Sequence, residues 1–145
     1  MDADPQAFLR ALRADYLGEI VGEVDHQVQA LVALRRSVRE KAREFAATEA
    51  ATRRLLGDEL AKHGVQMGPQ RWLRSLAWAV LLPVKLALPT RAWATILHRI
   101  TSHSVGAFER QQARFGQRNP ELFASLVTHE VLQRDWAKAC LEGRG

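Results

Sequence analysis

The sequence predicts an all-α protein, an antiparallel bundle of two long-helix hairpins joined by an apolar crossover helix. Three features carry that expectation. No stretch alternates apolar and polar residues at period two, and no β-hairpin turn signal is present. Apolar residues instead recur at helical spacing through long segments. Proline and glycine fall mainly where such segments begin and end. At 145 residues, 47% of them hydrophobic, the chain is long enough to bury a core as one domain.

The first helix opens at Asp4-Pro5, a carboxylate at the N-cap followed by proline in the first turn. Leu9, Leu12, Tyr16, Ile20, Val24, Val28, Leu31 and Leu34 trace its apolar stripe. Gly18 and Gly22 lie within it and leave room for a close neighbour. Glu19 and Glu23 run along the shoulder, Glu23 nearer the centre, with His26 outside. Ser37 is expected to cap a second helix, Glu40 completing a capping box, and Gly64 to end it. Val38, Phe45, Glu49, Thr52 and Leu56 share one stripe of that helix. Residues 5–64 therefore make the first hairpin.

Residues 70–88 are the most apolar stretch. Ten residues separate Arg74 from Lys85 without a charge, about half of what a membrane span needs. Pro83 also interrupts them. The segment reads as a crossover helix covering the bundle. The competing reading is an interfacial element that meets a membrane surface or a partner through Trp72, Trp78, Arg74 and Lys85.

The second hairpin spans 90–141, with Thr90 as the expected cap. Its first helix carries Trp93, Leu97, Ile100, Ser104, Ala107, Gln111 and Phe115 on one stripe, flanked by His103, and turns Glu109 away. Pro120 opens the last helix, whose stripe is Leu122, Leu126, Glu130, Gln133, Ala137 and Leu141.

The formal charge is +5, from 21 Lys and Arg against 16 Asp and Glu. The densest basic run, Arg35 to Arg43, has no interleaved aromatics to act as stacking platforms. It reads as a solvated helix face, and no specific nucleic acid is expected as a partner. The single Cys140 excludes an intrachain disulfide and a cysteine-built zinc site. The acidic N-terminus lacks the basic and apolar regions of a signal peptide, so the cytoplasm is the expected address.

Glu49 and Glu130 stand in the middle of apolar stripes, where an ionised carboxylate is costly unless cations or several donors meet it. Both begin Glu-x-x-(Thr or Gln)-Arg. Arg53 and Arg134 follow their glutamates by four residues, the favourable order for an intrahelical ion pair. Tyr16 could add a donor.

Two hairpins joined by a long crossover, with glutamates on the second and fourth helices, resemble the ferritin-like superfamily. Tyr16 to Glu23 looks like its first helix, and Glu49 and Glu130 fall where its Glu-x-x-His pairs stand. The resemblance implies a centre for two iron or manganese ions built from Glu23, Glu49 and Glu130, with His103 as an outside candidate. Both expected histidines are replaced, by Thr52 and Gln133, and His129 is adjacent to Glu130 rather than three residues beyond it.

Three readings follow. The first is a ferritin-like bundle without an intact two-metal site or cofactor, not an enzyme, that acts through protein contacts or as a homodimer. The second is a di-iron or di-manganese carboxylate oxidoreductase of the same fold. The third is a peripheral membrane-associated helical protein.

Overall fold

The computed structural model describes residues 4–144, and these fold into five α-helices with no strand among them. They are α1 (Pro5–Val32), α2 (Arg36–Lys62), α3 (Arg71–Ala87), α4 (Thr90–Phe115) and α5 (Pro120–Leu141). The chain divides into two compact units, Met1–Leu86 and Ala87–Gly145. In the first, α1 and α2 pair as a hairpin and α3 follows; in the second, α4 pairs with α5.

Local chemistry sets most helix ends. The Asp4 carboxylate accepts from the Gln6 backbone N–H at 2.9 Å, with Pro5 in the first turn. At the end of α2, Gly64 takes φ 73° and donates to the Ala61 carbonyl, while Val65 donates to Leu60 at 3.0 Å. That pair of bonds is a Schellman motif, which satisfies carbonyls the helix would otherwise leave open. Asn119 caps α5 by accepting from the Leu122 N–H at 3.1 Å, ahead of Pro120.

The start of α2 corrects the sequence reading. The helix begins at Arg36, not after Ser37, and no side chain caps it. Glu40 accepts from Arg36 Nε at 2.6 Å instead of closing a capping box. Likewise Pro89, not Thr90, stands at the N-cap of α4. Pro83 does not end α3: it lies on the helix's exposed side, and the helix continues to Ala87.

The core of the first unit is built on Phe8, Leu12, Tyr16, Ile20, Val24 and Val28 of α1, each one turn from the next. Val38, Ala42, Phe45, Leu56 and Leu60 supply the buried apolar residues of α2. The lower end of α1 meets α3, where Val24, Val28 and Ala77 cluster with Trp78, Leu81 and Leu82 packed around them. The α1 stripe stops sooner than its spacing suggests, for Leu31 is 65% exposed and Leu34 94%. In the second unit, α4 buries Trp93, Leu97, Thr101, Val105 and Phe108, and Ile100 faces out. Trp93 meets Trp136 at a centroid distance of 5.4 Å, and Phe115 stacks on Phe123.

These burials set the stability. Leu60→Ala removes a fully buried side chain and should cost about 2–5 kcal/mol in urea unfolding. Leu34→Ala, at a position almost fully exposed, should stay within about 0.5 kcal/mol of the parent.

Candidate functional site

The first unit has a polar seam inside its hairpin. On α2, Val38, Ala42, Phe45, Glu49, Thr52, Leu56 and Glu59 are buried at alternating spacings of four and three, so Glu49, Thr52 and Glu59 share the seam with apolar residues. On α1 a second stripe, Glu19, Glu23 and His26, is buried beside the apolar one. The apolar stripe meets α2 where Phe8 lies edge-on to His63 and Tyr16 lies against Gly57, and it meets α3 at Val24 and Val28. Glu19 at 3% and His26 at 2% exposure are more deeply placed than Glu23. Sequence reasoning put Glu19 on the shoulder and His26 outside; the four–three spacing of residues 19, 23 and 26 was the available signal.

Glu23 is the centre of this seam. Its Oε2 accepts from Arg53 Nε of α2 at 3.2 Å and from the Arg74 guanidinium of α3 at 2.6 Å. Gln27, one turn on, donates to its other oxygen at 3.1 Å. One carboxylate thus joins all three helices of the unit through charge-assisted bonds. Burial alone pushes the Glu23 carboxyl up. The hydrogen bond and charge of Arg74, with those of Arg53, outweigh that and hold it below its ordinary value of 4.5.

Arg53 therefore reaches across to Glu23 rather than back along its own helix to Glu49, as the sequence suggested. Its guanidinium also lies 5.9 Å from the Tyr16 ring centroid, so Tyr16 meets the pair through its π-face and not as a hydroxyl donor. Gly57 makes that ring position available: a Cβ there would lie 3.3 Å from Tyr16 Cε2.

Glu49 has a different setting. Its Oε1 lies 3.7 Å from His26 Nε2, and the imidazole packs on Phe45. One carboxylate oxygen of Glu19 comes within 4.8 Å of one from Glu49. Two buried negative charges at such a separation need a compensating cation or proton. Gly22 is what lets the Glu49 carboxylate in, since a Cβ there would sit 2.8 Å from Oε2. Gly18, also noted in the sequence, has nothing within 4 Å of the same position. Thr52, where a metal-binding histidine was sought, bonds its hydroxyl back to the Thr48 carbonyl at 3.1 Å.

Arg74 and Lys85, taken from sequence as candidates for a membrane or partner surface, point inward. Arg74 holds Glu23, and Lys85 is buried with its Nζ 2.9 Å from Asp25. Burial lowers the Lys85 pKa, and Asp25 offsets part of that effect. Of the same set, Trp72 is 67% exposed and Trp78 is half-buried against Val24 and Val28.

In the second unit, Glu130 and Gln133 are buried as expected. His129 is buried too, its Nε2 3.5 Å from Glu130 Oε1. Arg134 pairs with its neighbour Asp135 at 3.0 Å, so the intrahelical pair with Glu130 is not made. His103 is exposed on α4 and does not join the buried groups, and Glu109 faces out as its spacing implied. Protein-family models, curated proteins and solved structures give no match to this chain.

Two outcomes follow from this geometry. Because the folded Glu23 carboxyl titrates below its unfolded value, its stabilisation is complete above the ordinary carboxylate range and is lost as pH falls below 4.5. Glu23→Gln should cost about 2 kcal/mol near pH 7, and the gap to the parent should shrink as urea curves are taken down through pH 4. Gly22→Ala should destabilise although alanine is the better helix former by about 1 kcal/mol. Adding Glu49→Ala to that variant should recover part of the loss, which a double-mutant cycle reads directly.

Proposed function

We propose that this chain is a ferritin-like helical-bundle protein of the cytoplasm that works without a two-metal centre, through contact with another protein or a second copy of itself. The observation that carries the reading is Glu23. The carboxylate that would serve as a ligand on α1 is already taken by two guanidinium groups, Arg53 and Arg74. A metal ion there would have to displace both. The neighbouring ligand positions agree: Thr52 and Gln133 stand where imidazoles are needed, and His103 is exposed.

Support for contact comes from α3. Trp72, Leu76, Val80 and Val84 follow one another at one-turn spacing and are all exposed. Of the three charges on that helix, Arg74 and Lys85 are spent inside the first unit and Arg71 is exposed in its first turn, so the stripe from Trp72 to Val84 is apolar. Covering such a face is favoured by about 25 cal/mol per Å² of apolar surface removed from water. On this reading the buried charges fix which helix faces meet, as buried ionic groups can.

A second reading, a di-iron or di-manganese carboxylate oxidoreductase, is favoured by the approach of Glu19 to Glu49 beside His26. Two carboxylates that approach this closely are suitable ligands for such ions. Bound there, a metal would supply Lewis acidity or redox chemistry, with Glu19 and Glu49 as its carboxylate ligands.

Metal analysis separates the two. Protein expressed with iron and manganese supplied, then desalted, should carry far less than one ion per chain. Near-stoichiometric metal that disappears in Glu49→Ala would establish the second reading instead.

A further inference from the structure

A groove of ≈ 810 Å³ in the first unit lies between the end of α1, the start of α2 and Trp78 of α3, and touches the polar seam only at Gln27. Its walls carry three arginines, Arg36, Arg39 and Arg43, against one carboxylate, Glu40. Glu40 is engaged by Arg36 at 2.6 Å. Arg39 and Arg43, one turn apart on α2, have no ion-pair or hydrogen-bond partner for their side chains among the described residues. The groove thus presents two uncompensated cations on one helix face, within about 6 Å of each other at their Cβ atoms. Apart from Gln27, its remaining walls are apolar, chiefly Leu31, 65% exposed, and the half-buried Trp78. Leu34, 94% exposed, stands in the adjoining turn with Arg35 and Arg36.

We infer that this groove docks the first unit on the surface of a bilayer containing anionic phospholipid. The phosphate of a headgroup lies between Arg39 and Arg43, and acyl carbons cover Leu31, Leu34 and the Trp78 edge. Charge complementarity chooses the head, and the exposed leucines choose the tail. Free phosphate would leave Leu31 and Leu34 in water. Nucleic acid would need an open aromatic face, whereas Trp78 packs on Val24 and Val28. The contact is peripheral, since no described helix is long and apolar enough to cross a membrane. It uses a face of α3 different from the Trp72 stripe, because Trp78 is about 200° around the helix from Leu76. The sequence assigned this basic run to a solvated face; the leucines and Trp78 beside it are what the fold adds.

Co-sedimentation of the full chain with vesicles tests the inference. Binding is expected to vesicles of phosphatidylcholine with about a third phosphatidylserine, and not to phosphatidylcholine alone. Arg39→Gln with Arg43→Gln should weaken binding about 30-fold, the loss expected for two basic residues at an anionic surface. Leu31→Ser with Leu34→Ser should weaken it as well. All four positions are exposed or half-buried, so far-ultraviolet dichroism and melting should stay as in the parent. Arg91→Gln with Arg99→Gln, an equal charge change on α4, should leave binding within about threefold of the parent. The inference is overturned if the chain ignores anionic vesicles, or if the α4 pair costs as much as the groove pair. It is also overturned if inorganic phosphate displaces the chain while the leucine variants bind normally, which would make the groove a phosphate site.

Discussion

The first unit depends on one carboxylate. Glu23 sits where three helices meet, and Arg53 and Arg74 reach it from two of them. Without those guanidinium groups its burial would be strongly unfavourable, and without Glu23 two partly buried arginines would face each other. The arrangement constrains more than charge. It sets α1 against α2 at the level of residue 53 and brings the start of α3 to residue 23. Asp25 and Lys85 then repeat the device near the far end of α3. A helix with an exposed apolar stripe is thus fastened by two of its three charged residues, Arg74 and Lys85, the reverse of an ordinary amphipathic surface helix.

Glu49 shows how the same hairpin handles a carboxylate without an arginine. Gly22 clears the space, and His26 and Glu19 are its polar neighbours from α1. The two glutamates on adjoining turns of the seam therefore have opposite chemistry. One is saturated by cations. The other lies beside a second carboxylate and an imidazole, and the metal-binding reading rests on that contrast.

The helices were largely legible in the sequence because their signals are local. Asp4-Pro5, Gly64 and Pro120 act within one turn, and the structure uses all three, with Asn119 adding a cap that the sequence reading did not name. Ser37 failed because Arg36 already begins the helix and draws Glu40 to itself. The buried polar groups were only half legible. Counting a single stripe on α1 finds Leu12 to Val28 but misses Glu19 and His26, since the helix is buried over two arcs and the second is polar. The partner of Arg53 was not legible at all. An intrahelical pair with Glu49 is worth only about 0.5 kcal/mol, so contacts made by the fold readily override it. Arg74 and Lys85 were misplaced for a related reason: flanking charges around an apolar run look like an interface until the helix's inward face is known.

On the proposed reading, guanidinium groups neutralise Glu23 and no metal ion joins Glu19 to Glu49. Ligand binding to the folded state alone raises stability in proportion to the logarithm of ligand concentration. Urea unfolding should therefore be measured with chelator present and again across rising concentrations of ferrous or manganous ion. The account predicts one midpoint throughout. A midpoint that climbs with metal concentration, and does so no longer in Glu49→Ala, would contradict it.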